Sequence, residues 1–271
     1  MEDPGVISLI RERLTLTRRE RWFRLVVRRT KGSRQQGFFD KYPRFFSSDT
    51  RAEPDRLNQR YRALIESNED VIRGRRILDI ASHDGRWSLP AKQAGAAYVL
   101  GIEARQHLVE EARENMRDYG VTGVDFVQGD VLVELDGLEA GQFDTVFCFG
   151  FLYHTSDHML LLRKVARLKP SCIIIDTAIS PRRGNLIEVR YENTARDAMA
   201  ASAEIGADYA VVGKPTKMAL ELMLRAVGFP RVRYYDWQNA GIRRWDDLED
   251  YYLGTRISAI AEPELPTGLR R

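Results

Sequence analysis

The chain has 271 residues, 44% of them apolar and 30% charged, with a formal net charge of +3. That is long enough for an ordinary hydrophobic core in one large or two small domains, too apolar for disorder, and its apolar runs are too short to span a bilayer. The first residues lack a basic-then-apolar leader, which predicts a cytoplasmic protein with no membrane span.

The charge is unevenly placed. Residues 11–35 hold ten Arg and Lys against two Glu, a local charge of +8, which leaves −5 for the rest of the chain. Such a stretch suits nucleic acid, anionic lipid or an acidic partner, but it also suits a solvated helix face. Ile10, Leu14, Trp22, Phe23, Val26 and Val27 would supply the apolar side of one or two helices over 1–35. Residues 37–46 are aromatic and broken by Pro43, so a core or a ligand must cover them. Residues 55–67 have helical spacing at Leu57, Tyr61, Leu64 and Ile65.

From residue 75 the pattern alternates. Strands are predicted at 76–81, 98–103, 124–128, 143–149 and 172–176. Helices are predicted from about 87, over 106–119 and over 157–168. This alternation implies βαβ units, a mostly parallel sheet and helices on both faces. Residues 181–214 depart from it and read as a lid-like insertion containing an Ala- and Met-rich helical stretch. Thr216 N-caps a further helix that Gly228 ends. Two last strands follow at 232–237 and 256–260, then a frayed tail over 262–271. Cys148 and Cys172 lie within strand-like runs with no CxxC or Cys/His spacing, and are expected to be buried thiols.

Open α/β sheets bind ligands beyond the carboxyl ends of their strands. There the sequence places Asp79, the 81–85 turn, Glu103, Asp130, His154 and Asp176. An acidic residue ending the second strand can accept bonds from both hydroxyls of a ribose. A carboxylate after the third can meet an adenine amino group, and a tight turn after the first lets backbone amides approach the rest of a nucleoside. Each feature is weak alone; in this order they are specific.

With the segments ILDIASHDG (77–85), GIEA (101–104), GDV (129–131) and FDTVFCFGFLYH (143–154), the chain resembles the class I S-adenosylmethionine-dependent methyltransferases over roughly residues 75–180. The resemblance implies a Rossmann-like, seven-stranded, mostly parallel α/β sheet with one reversed strand. The organisation expected is a cap over 1–70, a cofactor-binding domain over 71–261 with the insertion at 181–214, and the tail. The resemblance also implies that Asp79, Ala81, His83 and Gly85 cradle the methionine part of S-adenosylmethionine. Glu103 would hold the ribose, Asp130 the adenine amino group, and Ala104, Val131 and Phe149 would line the slot.

The first motif departs from the family's three glycines, reading Ala81, His83 and Gly85. Ala81 is a small change if its φ is negative. His83 belongs to the residue types that tolerate positive φ; it either points into the site or packs outward. A dinucleotide site fits less well, because the loop has one glycine and Asp84 would repel a pyrophosphate.

For an alcohol acceptor, His154 is the first candidate for a general base and Asp176 the second. Asp176 could instead help ligate Mg²⁺, although no spacing demands a metal. His158 reads as a helix start and His107 as a surface residue. Tyr42, Phe45, Phe46 and Tyr61 could floor a substrate site, with Arg44, Arg56, Arg60 and Arg62 pairing acidic groups. Arg190, Tyr191 and Glu192 could reach it from the insertion.

Three functions follow from these residues. The first is O-methylation of a sugar, oligosaccharide or similar small polar acceptor. The second is RNA modification, since FGFLYHTSDH is laid out like a segment of wobble-uridine enzymes and the basic N-terminus would track phosphates. The third is a non-catalytic cofactor-binding regulator. The aromatic and arginine-rich N-terminal arm could equally serve a homodimer contact.

Overall fold

The computed structural model describes residues 34, 36–47, 53–193 and 209–264. The helices expected over 1–35, the Ala- and Met-rich stretch within 194–208 and most of the tail lie outside these residues.

The main sheet has seven strands. They are β1 (Arg76–Ile80), β2 (Tyr98–Glu103), β3 (Val124–Gln128), β4 (Thr145–Phe149), β5 (Cys172–Ala178), β8 (Arg231–Tyr234) and β9 (Arg256–Glu262), in the order β3-β2-β1-β4-β5-β9-β8. β1 to β5 pair in parallel, and β9 runs antiparallel to both β5 and β8. Strand order reverses between β1 and β4, so their carboxyl ends open a crevice. The strand–helix alternation predicted the parallel part of this sheet, and the family resemblance implied its seven strands and the reversed one.

Alternation along each strand divides the core in two. Ile77, Phe147, Phe149, Cys172 and Ile174 face one layer; Leu78, Ile80, Val146, Cys148, Ile173 and Ile175 face the other. The first layer also contains Phe39, Phe45, Leu57 and Leu64 from the cap. Cap and sheet therefore share one core. Both cysteines are buried and free, and burial pushes their thiols up to about 12 (Cys148) and about 11 (Cys172).

The cap is a pair of 3-10 turns, Phe38–Lys41 and Pro43–Phe46, followed by helix α1 (Pro54–Leu64). Pro54 suits the first turn of α1, where its missing N–H would have no helical partner anyway. The aromatics close on one another: Phe38 stacks on Tyr61 with centroids 4.2 Å apart, and Tyr42 meets Tyr119 edge-on at 4.9 Å. Helices α2 (Ser88–Gln93), α3 (Gln106–Asp118), α5 (His158–Arg167) and α6 (Lys217–Ala226) lie where expected, and a short helix α4 (Val131–Glu134), not foreseen in the sequence, follows β3. Thr216 caps α6 by accepting from the Ala219 amide at 3.2 Å.

The insertion differs from its reading. Its described parts are two strands, β6 (Ile187–Asn193) and β7 (Tyr209–Pro215), paired antiparallel as a separate ribbon. Ile187-Glu188-Val189-Arg190-Tyr191-Glu192 alternates apolar and charged residues, a period-two signal that the neighbouring Ala-rich stretch obscured. His158, at the start of α5, anchors the ribbon through Nε2, 2.9 Å from the Gly213 carbonyl. A short helix α7 (Glu249–Leu253) ends at Gly254 in the left-handed region, φ +70°, and turns the chain into β9.

Candidate active site

A cavity of about 470 Å³ opens at the carboxyl ends of the parallel strands. It runs from Glu103 and Asp130, after β2 and β3, past Phe149 and Gly150 after β4, to Arg256 at the start of β9. Four strand spacings separate β2 from β9 in the sheet. At about 4.8 Å each, that is roughly 19 Å, enough for two ligands side by side. α1 and the ribbon β6–β7 line its other walls through Arg56, Arg60 and the segment 209–211.

At the β2–β3 end, the turn after β1 holds Ala81 and His83 in the left-handed region, both at φ +55°. The condition under which Ala81 would be a small change, a negative φ, is not met: alanine occupies a glycine conformation, at a cost of roughly 1–2 kcal/mol. Such local strain is tolerated where the surrounding structure holds it, often at functional sites. Here the His83 amide donates to Glu103 Oε2 at 3.0 Å. Glu103 Oε1 accepts from the backbone and side chain of Arg105 at 3.1 and 2.9 Å. A carboxylate offers about four lone-pair sites, so the buried Glu103 retains capacity for a ribose hydroxyl. Asp130 caps α4 through Oδ1, which accepts from the Leu132 amide at 2.7 Å; Oδ2 is left to meet a donor in the cavity. His83 lines the cavity, beside Arg86. Arg86 forks onto the fully buried Asp84, with bonds of 2.7 Å to each oxygen. That pairing overrides burial and holds the Asp84 carboxyl far below its usual range.

Two residues expected to touch cofactor do not line the cavity. Asp79 is buried beneath it and accepts from Ser88 Oγ at 2.7 Å. Burial, with Glu103 and Asp84 nearby, pushes its carboxyl up to about 7. Gly85 has φ +79°, and a Cβ there would sit 3.0 Å from Met116 and Phe126. Its role is close packing of the turn on α3.

At the β5–β9 end, His154 lines the cavity and is nearly buried. Its Nδ1 lies 2.7 Å from Glu192 Oε2, and Arg190 Nη2 donates to Glu192 Oε1 at 2.8 Å. Burial would raise Glu192, but His154 and Arg190 outweigh it and hold the carboxyl below its usual value. This fixes the imidazole: Nδ1 carries the proton toward Glu192, leaving Nε2 as the basic nitrogen. Glu192 reaches His154 because it lies on the ribbon's charged face, whereas Tyr191 points outward and is 78% exposed.

Asp176 is fully buried and accepts four hydrogen bonds. Oδ1 takes Arg60 Nη2 at 3.0 Å and Arg256 Nε at 2.7 Å; Oδ2 takes the Tyr251 and Ser258 hydroxyls at 2.7 Å each. Burial alone would raise it, yet the two guanidiniums and two hydroxyls keep its carboxyl far below the usual range. That arrangement argues against Asp176 as a base, and both of its oxygens are already engaged by protein donors. Among the described residues no group of three or more His, Cys, Asp or Glu is placed to hold a metal ion.

Of the expected substrate contacts, Arg56 and Arg60 line the cavity, while Tyr42, Arg44, Tyr61 and Tyr191 do not. Tyr42 and Tyr61 are consumed in closing the cap, and Arg44 pairs on the surface with Asp118. The sequence reading missed Trp87, Tyr153, Asp250 and Arg256, which also line the cavity. The one local signal was an arginine opening a strand, 256–261, whose other residues are apolar except Ser258.

Residues 77–170 match the family model described as a methyltransferase domain. These residues form a methyltransferase domain. The cavity suits S-adenosylmethionine: two acidic residues with spare acceptor sites stand beside a strained turn that brings backbone close. The chain is 27% identical over 213 residues to a tRNA U34 carboxymethyltransferase of Pseudomonas syringae pv. syringae, covering 73% of this chain and 61% of that one. It is 24% identical to the demethylmenaquinone methyltransferase of Lactococcus lactis, over 64% of this chain and 73% of that one. The chain thus spans about three fifths of the length of the carboxymethyltransferase. The methyltransferase fold is shared with the N-terminal domain of EvdMO1, solved with S-adenosylhomocysteine bound, at a TM-score of 0.56 and 21% identity over 89% of this chain and 97% of that one. Among the described residues, no helix is long and apolar enough to cross a membrane.

Proposed function

We propose that this chain methylates a hydroxyl group of a sugar, oligosaccharide or similarly polar metabolite. One observation carries the reading: a cavity-lining histidine, His154, is oriented through Nδ1 by Glu192 at 2.7 Å. S-adenosylmethionine, when bound, supplies an electrophilic methyl group. A neutral alcohol is a poor nucleophile, and general-base removal of its proton contributes roughly 10²–10⁴-fold. His154 Nε2 takes that proton, and Glu192 stabilises the imidazolium that forms, with Arg190 steadying Glu192. Trp87, Phe149 and Tyr153 line the same cavity and give it an aromatic wall. A second structure of the EvdMO1 domain, at TM-score 0.57 and 21% identity, was determined in the presence of S-adenosylhomocysteine and D-fucose. That supports, for this fold, a sugar-sized acceptor.

Methyl transfer to a panel of hydroxylated acceptors tests this. His154→Ala should lower turnover by about 10²–10⁴-fold and Glu192→Gln by less, both without loss of S-adenosylhomocysteine binding. Unchanged turnover in both variants would remove the base from the reading.

The tRNA U34 carboxymethyltransferase relatives favour a second reading, modification of a wobble uridine. It requires acceptor binding that weakens steeply with salt. Modification of tRNA, with no activity on any sugar, would replace the first reading.

A further inference from the structure

Beyond the base, the β5–β9 end of the cavity holds a compact group of five charged side chains. Arg56 forks onto Asp250, with bonds of 2.8 and 2.7 Å to its two oxygens. Arg60 and Arg256 share Asp176 Oδ1 and so stand side by side. Counted over these contacting groups, three guanidiniums face two carboxylates. The group carries one uncompensated positive charge, although all three arginines and Asp176 are buried. His154 does not offset it, and Glu192 is already matched by Arg190.

A second observation is independent of the charge count. Arg60 is 7% exposed and lines the cavity. Its Nε is buried and has no hydrogen-bond acceptor in the protein. Buried donors are nearly always satisfied, and a charged donor left without a partner is costly. The rest of the side chain is fixed: its guanidinium lies 4.7 Å over the Trp87 ring, and Nη2 is committed to Asp176. It cannot swing out to find water without losing both contacts. Arg256 is likewise held, over the Tyr153 ring at 5.3 Å.

A fixed, net-positive pair of guanidiniums lining the cavity matches an oxyanion, the group that arginine forks recognise best. A positively charged sulfonium cofactor in the same cavity would add to the excess. We infer that the acceptor carries an anionic oxygen group, a carboxylate or a phosphate, which docks on Arg60 and Arg256 and holds the reacting hydroxyl toward His154. The word acceptor here rests on the methyltransferase reading; the anion site itself does not.

Thermal unfolding of the whole chain tests the site, with inorganic phosphate or acetate added at constant ionic strength against chloride. Each titration is made with and without S-adenosylhomocysteine. At least one of the two anions should stabilise the chain saturably beyond chloride. Preference for acetate assigns a carboxylate, and preference for phosphate a phosphate ester. Arg60→Gln should weaken the apparent anion affinity by about tenfold or more. Asp250→Asn removes a carboxylate and no guanidinium, so it should tighten anion binding several-fold, and it decides the matter if Arg60→Gln does not fold. No effect beyond chloride in the parent would overturn the inference. So would equal stabilisation of parent and folded Arg60→Gln, or weaker anion binding in Asp250→Asn. Failure of S-adenosylhomocysteine to bind would instead break the methyltransferase reading, and the anion titration without it would still stand.

Discussion

The two ends of the cavity are built differently. At the β2–β3 end, Glu103 and Asp130 each sit at the end of a strand or the start of the next helix, held by amides within a few residues or from the adjacent strand turn. At the β5–β9 end, Asp176 gathers donors 75 to 116 residues away in the chain. The first end presents carboxylates with spare acceptor capacity. The second presents carboxylates already saturated by arginines, with positive charge to spare. The difference separates binding by acidic side chains from binding by basic ones, and local construction from assembly by the whole fold.

Removing a charge should therefore act differently at the two ends. Asp176→Asn leaves Arg60 and Arg256 buried without their counter-charge, and should cost about 3–5 kcal/mol of stability in chemical denaturation. Asp130→Asn should cost no more than about 0.5 kcal/mol, because asparagine caps a helix as well as aspartate does, while affinity for S-adenosylhomocysteine falls. Equal stability losses would erase the contrast.

Asp79 sharpens it through pH. Its folded value of about 7 lies above the ordinary 3.8, so the folded chain keeps a proton that the unfolded chain releases between these limits. The stability Asp79 contributes is full below about pH 4, declines as pH rises at up to about 1.4 kcal/mol per pH unit, and is gone above about 7. Asp79→Asn lacks this dependence. Its stability relative to the parent should improve by more than about 1 kcal/mol between pH 5 and 8. A constant difference across that range would show that Asp79 is ionised throughout.

The smallest effects belong outside the cavity. Arg44→Ala and Tyr191→Ala should each change stability by no more than about 0.5 kcal/mol and leave turnover unaltered. A large loss of turnover in either would return these residues to the substrate site.

The same contrast explains what the sequence could tell. Strand alternation, the strand-end acids Glu103 and Asp130 and the histidine after β4 are local patterns, and each marks its place in the sheet. Asp79 and Gly85 share that local pattern but serve the turn's packing, which spacing cannot distinguish from ligand contact. Ala81 could be located, but its left-handed φ could not be read from residue type. Arg256 and Asp250 carry no motif; only the pairing of β9 with β5 brings Arg256 to Asp176, and only the packing of α7 on α1 brings Asp250 to Arg56. Glu192 and Tyr191 were both named from the insertion, and the ribbon's period-two alternation decides between them, sending one to His154 and the other to solvent. Tyr42 and Tyr61 looked available because they are aromatic, yet covering the cap's own core takes them first.

Calorimetric titration with S-adenosylhomocysteine, applied to the parent, Glu103→Ala and His154→Ala, tests most directly that the cavity has a cofactor end and a separate acceptor end. Loss of charged hydrogen bonds should weaken binding to Glu103→Ala by roughly 10- to 100-fold, while His154→Ala should bind within about twofold of the parent. A folded parent that does not bind, or an equal loss in both variants, would contradict the account.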